Sequence, residues 1–95
     1  MNAELKDKWL AALRSGEYQQ TRSALKNEDG YCCLGVLAHV YSGDWGRDNK
    51  KGYEKVREVL ADKYTLDSLM CLNDTEDLSF PAIADWIETN IPSEP

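Results

Sequence analysis

The run Tyr31-Cys32-Cys33-Leu34-Gly35-Val36-Leu37-Ala38-His39-Val40-Tyr41 is the most apolar stretch of the chain, and the rest of the sequence has to cover it. Its periodicity alone does not separate a buried strand from a buried helix. Eleven residues is long for a strand, and small Gly35 and Ala38 let a second helix approach closely, so the run predicts a central buried helix. The chain has 95 residues, enough for one domain that buries roughly two-thirds of its unfolded surface. No internal repeat and no long linker divides it, so residues 1–95 are expected to form a single domain.

Amphipathic segments flank this run. Leu5, Trp9 and Leu13 recur at i, i+4 and i+8, with Asn2 placed to cap and Gly16 to stop, which predicts a helix over Ala3–Ser15. Residues 18–31 lack helical spacing and contain the turn signal Asn27-Glu28-Asp29-Gly30, read as a short β-hairpin or extended arm. Ser42 to Gly52 reads as a loop holding three glycines, three bases and Trp45. Tyr53, Val56, Val59, Leu60 and Tyr64 form a further helical stripe. Thr65 is placed to cap a short helix carrying Leu66, Leu69, Met70 and Leu72. Residues 73–77 are a polar break. Ser79 then caps the last helix, with Pro81 in its first turn, Leu78 and Ile83 at the staple positions, and Ile83, Trp86, Ile87 and Ile91 on its apolar face. The expected fold is mainly α, or α+β if the hairpin near residues 18–31 forms, with about five short helices. Its expected core is Trp9, Leu13, Leu34, Leu37, Val56, Leu60, Leu69, Ile83, Trp86 and Ile87.

Composition removes several classes. Gly, Pro and Cys are modest, which excludes collagen-like, disordered and disulfide-scaffold chains. No apolar run reaches the roughly 18 residues of a membrane span. The start lacks the apolar core of a signal peptide, so a cytosolic protein is expected. Net charge is −6, and it is unevenly placed. Through Lys63 there are eleven bases and ten acids, whereas the remainder has seven acids and no base. Such asymmetry points to a charged partner, or simply to a solvated face that maintains solubility.

Catalytic and metal chemistry find little purchase. Cys32 and Cys33 are adjacent, so on a helix their side chains diverge by about 100°. The Cys/His spacings of structural zinc are absent, and the three thiols are expected to be buried and inert. Cys33 and His39 lack a third orienting group for a nucleophile pair. The stretch from Asp74 fails as a calcium loop, because its sixth residue is Ser79 and its twelfth Asp85. No metal site, no cofactor and no enzyme activity are expected. The last two helices resemble a helix-turn-helix in outline, but acids and no base occupy the would-be recognition helix, so direct DNA binding is not expected.

Two candidate sites remain. Asp67, Asp74, Asp77, Asp85 and Glu88 make an acidic surface suited to a protein partner, including a protein that otherwise holds nucleic acid. Trp45, Arg47, Lys50 and Lys51, with Arg14, Tyr18 and Arg22, combine a stacking surface with phosphate-binding charge and suit a small nucleotide held by a homo-oligomer. A solvated surface loop is the plain alternative for the second set.

Lys8-Trp9, Ala12-Leu13-Arg14-Ser15-Gly16, Tyr18-Gln19-Gln20, Gly30-Tyr31-Cys32-Cys33-Leu34-Gly35-Val36-Leu37, Leu72-Asn73-Asp74, Ser79-Phe80 and Ile83-Ala84-Asp85-Trp86-Ile87-Glu88 together carry a resemblance. In their order and spacing the chain resembles small proteins of tailed bacteriophages and prophages that have no assigned function. It departs from that pattern at Ala82, where Glu is frequent, and in a shorter middle from Asp44 to Lys63. The resemblance implies a phage accessory protein in the host cytoplasm, and no catalytic residue. Stoichiometric antagonism of a host defence factor, by protein blockade or by nucleotide sequestration, is the leading expectation. A structural or regulatory phage role is the other.

Overall fold

The computed structural model describes residues 1–43, 49–60 and 62–93. Five helices and a two-stranded antiparallel sheet follow in the order α1 (Ala3–Ser15), β1 (Lys26–Asn27), β2 (Gly30–Tyr31), α2 (Cys33–Ser42), α3 (Asn49–Val59), α4 (Lys63–Asp74) and α5 (Phe80–Asn90). The fold is mainly α with a small hairpin.

The apolar run forms α2, and its residues Cys33 to Ala38 are all buried. A helix that is apolar all round belongs in the middle of a packing arrangement. Here α1, α3 and α4 all pack on it, while α5 packs on α1 and α4. The Asn2 side chain accepts a hydrogen bond from the Leu5 amide (2.9 Å), and Gly16 ends α1 at φ 77°. Trp9 is fully buried, and its indole Nε1 donates to the Cys33 carbonyl (2.9 Å), fixing α1 to the first turn of α2.

The arm from Gly16 to Tyr31 is more economical in strand than the sequence suggests. Asn27 Oδ1 accepts from the amides of Asp29 (2.8 Å) and Gly30 (3.2 Å), closing a tight turn between strands of two residues each. Upstream, the chain instead pairs in parallel with β2. The Thr21 amide donates to the Tyr31 carbonyl and the Tyr31 amide to the Gln19 carbonyl, both at 2.8 Å. Leu25 then lies across the start of α2, its carbonyl accepting from the Cys32 amide (3.0 Å). A Cβ on Gly35 would overlap that same carbonyl oxygen, so only glycine lets the arm lie on the helix.

Several sequence expectations are corrected. The stretch expected as a loop to Gly52 is helical from Asn49, and Lys50, Lys51 and Gly52 belong to α3. Asn49 secures that start from outside: its Oδ1 accepts from the Lys26 amide (3.0 Å) and its Nδ2 donates to the Lys26 carbonyl (3.1 Å). The stripe from Tyr53 does not run through to Tyr64, which lies on α4 and is 78% exposed. Asp62, rather than Thr65, caps α4. Its carboxylate accepts from the Tyr64 amide (3.0 Å) and from the Thr65 hydroxyl (2.9 Å). Thr65 therefore supports the cap from inside the first turn. Ser79 caps α5 as its position suggests, with Ala82 donating to its hydroxyl (3.4 Å). Nine of the ten expected core residues are buried, whereas Trp86 is only partly buried and packs against the core's edge.

Gly35→Ala is expected to lower stability by about 1–3 kcal/mol, the usual cost of overpacking a closed contact, seen as a lower urea midpoint. An unchanged midpoint would mean that the arm does not rest on α2.

Candidate functional site

The expected polar break at residues 73–77 begins inside α4, which runs to Asp74, and its first residue is an organising centre. Asn73 sits in the last turn of α4, fully buried. Its Oδ1 accepts from the Gln20 side chain (2.9 Å) and from the Cys33 amide (3.3 Å). Its Nδ2 donates to the Thr21 carbonyl (2.9 Å) and to Asp74 Oδ1 (2.8 Å). Gln20 Nε2 also reaches the Leu78 carbonyl (2.8 Å), and Asp74 Oδ1 accepts from the Ser23 amide (3.1 Å). One carboxamide thus joins the arm, the start of α2 and the end of α4, and Gln20 extends the network into the α4–α5 turn. Sequence reasoning gave no structural role to Asn73, Gln20, Asn49 or Asp62, because a polar residue in a polar stretch carries no sign of the partner it will meet. The adjacency of Asn73 to the buried Leu72 at the end of an amphipathic stripe was the one available signal.

The two candidate sets are interleaved. Asp85 and Glu88 on α5 are 2.9 and 3.4 Å from the Arg14 guanidinium, which holds the Arg14 pKa up through its hydrogen bonds to both. Arg22 pairs with Asp77, and Lys63 with Asp67 (3.3 Å). Asp74 is engaged as above. All five candidate acids therefore have partners within the chain, and all five remain exposed. Tyr18 is half-buried, its ring edge-on to Tyr31 (5.2 Å) and to His39 (5.6 Å), and burial raises its phenol pKa. Lys50 and Lys51 are exposed on the first turn of α3. Trp45 and Arg47 lie outside the described residues. The described members of the nucleotide set have different surroundings: Arg14 against α5, Arg22 on Asp77, Tyr18 in a ring cluster.

Lys50 lines a cavity of about 540 Å³ together with Ser23, Ala24, Leu25, Cys32, Asn49, Tyr53, Met70 and Asp74. The arm, the start of α3 and the end of α4 form its walls. Its size falls within the range of ligand-sized clefts.

The thiols do not share one environment, which corrects the expectation that all three are buried. Cys32 and Cys33 are buried, but Cys71 is exposed. Burial raises the Cys32 pKa to about 11 and that of Cys33 well above its ordinary value. Cys33 points its thiol at the Leu69 carbonyl (3.7 Å), while His39 packs among Tyr18 and Tyr31 with its Nδ1 buried and without a hydrogen-bond partner among the described residues. Cys33 and His39 thus face different neighbours. Among the described residues no group of three or more His, Cys, Asp or Glu side chains could hold a metal ion, and no helix is long and apolar enough to cross a membrane.

Asn73→Ala is expected to cost at least about 3 kcal/mol, because it strands several buried donors and acceptors at once. Chemical denaturation would read this, and a loss under 1 kcal/mol would remove Asn73 from the centre. A thiol reagent at pH 8 is expected to modify one cysteine rapidly, at Cys71, and the other two only on unfolding. The unfolded Cys32 thiol loses its proton near 9.0 and the folded one near 11. The stability contributed by Cys32 is therefore complete below pH 9 and declines as the pH rises toward 11. Denaturation midpoints across that window, compared with Cys32→Ala, measure the decline.

One protein family matches the chain, a domain of unknown function (DUF8296), over residues 1–68. Comparison with the curated proteins and with the solved structures finds no match.

Proposed function

The chain belongs to the family of the domain of unknown function DUF8296, and we propose that it is a phage accessory protein acting by stoichiometric binding. In this reading it occupies a host defence protein through the acidic side of α4 and α5, in the host cytoplasm, without turnover and without contacting DNA. The observation that carries the reading is the exposure of the acids. Asp77 and Asp85 have side chains 74% and 76% accessible, and Glu88 and Asp67 are 61% and 57% accessible, although each is ion-paired. Exposed ion pairs hold together weakly. A basic partner can therefore exchange Arg14 or Arg22 for its own cations at little cost to the fold. Their exposure favours fast, salt-sensitive association. The phage setting rests on the resemblance carried by residues from Lys8 to Glu88.

Nucleotide capture by Trp45, Arg47, Lys50, Lys51, Arg14, Tyr18 and Arg22 draws less from the geometry. A phosphate would have to displace carboxylates from Arg14 and Arg22, and Tyr18 has its ring packed against Tyr31 and His39.

Expressing the chain in a host that carries the cognate defence system is expected to restore phage plating. The triple variant Asp67→Asn, Asp85→Asn, Glu88→Gln is expected to lose at least tenfold of that restoration with an unchanged circular dichroism spectrum. Full restoration by the triple variant, with loss in Lys50→Gln plus Lys51→Gln instead, would shift the function to the basic set. No restoration by the wild-type chain in any defended host would leave the structural or regulatory role.

A further inference from the structure

We propose that the cavity between the arm, α3 and α4 is a socket for one apolar side chain of a basic partner segment, seated with its cationic flank toward Asp74. This deepens the binding reading above and rests on it, because it supplies the anchor that an acidic rim alone lacks. Charge complementarity by itself gives rate and orientation, whereas affinity concentrates where a side chain is desolvated in a pocket.

The lining has the required chemistry. Ala24, Leu25, Cys32, Tyr53 and Met70 present apolar surface, and the volume of about 540 Å³ accommodates an aromatic side chain with room for its neighbours. Cys32 holds its proton to about pH 11, so the thiol is neutral at physiological pH. Met70 is partly buried, and an unbranched thioether adapts its shape to what enters.

The rim fixes the polarity of the guest. Asp74 stands at the α4 side, and its Oδ1 is already used by Ser23 and Asn73. The carboxylate is exposed, and Glu76 and Asp77 follow it, both exposed. Lys50 stands at the α3 side. A guest with a base beside its apolar side chain therefore gains at α4, and a guest flanked by carboxylates meets like charge there. The wall is also set in place before binding. Ser23 adopts φ 65°, uncommon for a residue other than glycine, and its amide is bound to Asp74. Asn49 clamps the backbone of Lys26 to the start of α3.

The test is a ¹H–¹⁵N and methyl NMR titration of the full chain with three capped tripeptides, Arg-Phe-Arg, Arg-Ala-Arg and Glu-Phe-Glu. Arg-Phe-Arg is expected to give saturable shifts centred on Cys32, Tyr53, the Met70 methyl and Asp74, with the other two binding at least tenfold more weakly. Asp74→Asn keeps an acceptor for Ser23 and is expected to weaken Arg-Phe-Arg at least threefold. Tyr53→Ser, checked for folding by its own spectrum, is expected to do the same, and Lys50→Gln to bind no more weakly than wild type. Equal binding of Glu-Phe-Glu, shifts confined to α5, or no saturable shift at all would overturn the socket. So would binding that appears only in Trp45→Ala, since the guest would then be this chain's own indole. Loss of the socket with the plating result intact would leave the acidic surface as the binding site. A working socket with full plating restoration by the triple acid variant would remove the acidic α5 surface and retain the cavity.

Discussion

The fold depends on the saturation of one buried amide. Asn73 has two acceptor sites and two donor hydrogens, and each is matched to a partner from the arm, from the start of α2 or from the neighbouring Asp74. Hydrophobic burial collapses five short helices onto one another without dictating their register, since apolar surfaces tolerate sliding far better than polar pairs do. A half-satisfied carboxamide in that interior would be worse than none. The complete set therefore selects the one arrangement in which the Gln20 side chain, the Thr21 carbonyl, the Cys33 amide and the end of α4 converge. Gly35 and Gly30 serve the same convergence by omission: a side chain on either would overlap a backbone carbonyl, of Leu25 or of Gln19.

The helices with caps and stripes of their own were readable. Asn2 and Gly16 bound α1, Ser79 opens α5, and the apolar run becomes α2 for the reason its length suggests. What escaped was partly non-local and partly masked by a misleading stripe. The start of α3 is held partly by the backbone of Lys26, 23 residues earlier in the chain, so Lys50 to Gly52 look like loop when read alone. The division between α3 and α4 rests on the Asp62 cap, which a continuous stripe from Tyr53 to Tyr64 conceals. Candidate-site residues were legible by type but not by partner. No local pattern reports that Arg14 will meet Asp85 across 71 residues of sequence.

The pairing of distant charges also changes how the surface acts. The sequence separates a nearly neutral first part from a strongly acidic last third, and folding brings them together. Arg14 moves to α5 and Arg22 to the turn before it. The resulting field is less one-sided than the linear charge distribution implies. Discrimination then passes from net charge to the placement of individual carboxylates beside apolar surface. A mostly apolar cleft edged by Asp74 and Lys50, on a surface that also carries exchangeable ion pairs, gives selectivity without requiring an open electrostatic sheet.

The arm that walls the cavity is held at Thr21 by Asn73, at Ser23 by Asp74 and at Lys26 by Asn49, and the first two anchors stand on a different helix from the third. Between them the arm contributes one buried apolar side chain, Leu25, to the core. Such a segment opens at lower free energy than the helices beneath it. Anything that fills the cleft touches the arm and both helices at once, and so suppresses that opening. Occupancy would be recorded in slowed amide hydrogen exchange at Thr21, Ser23, Lys26 and Cys32, even where the average positions of those residues do not change.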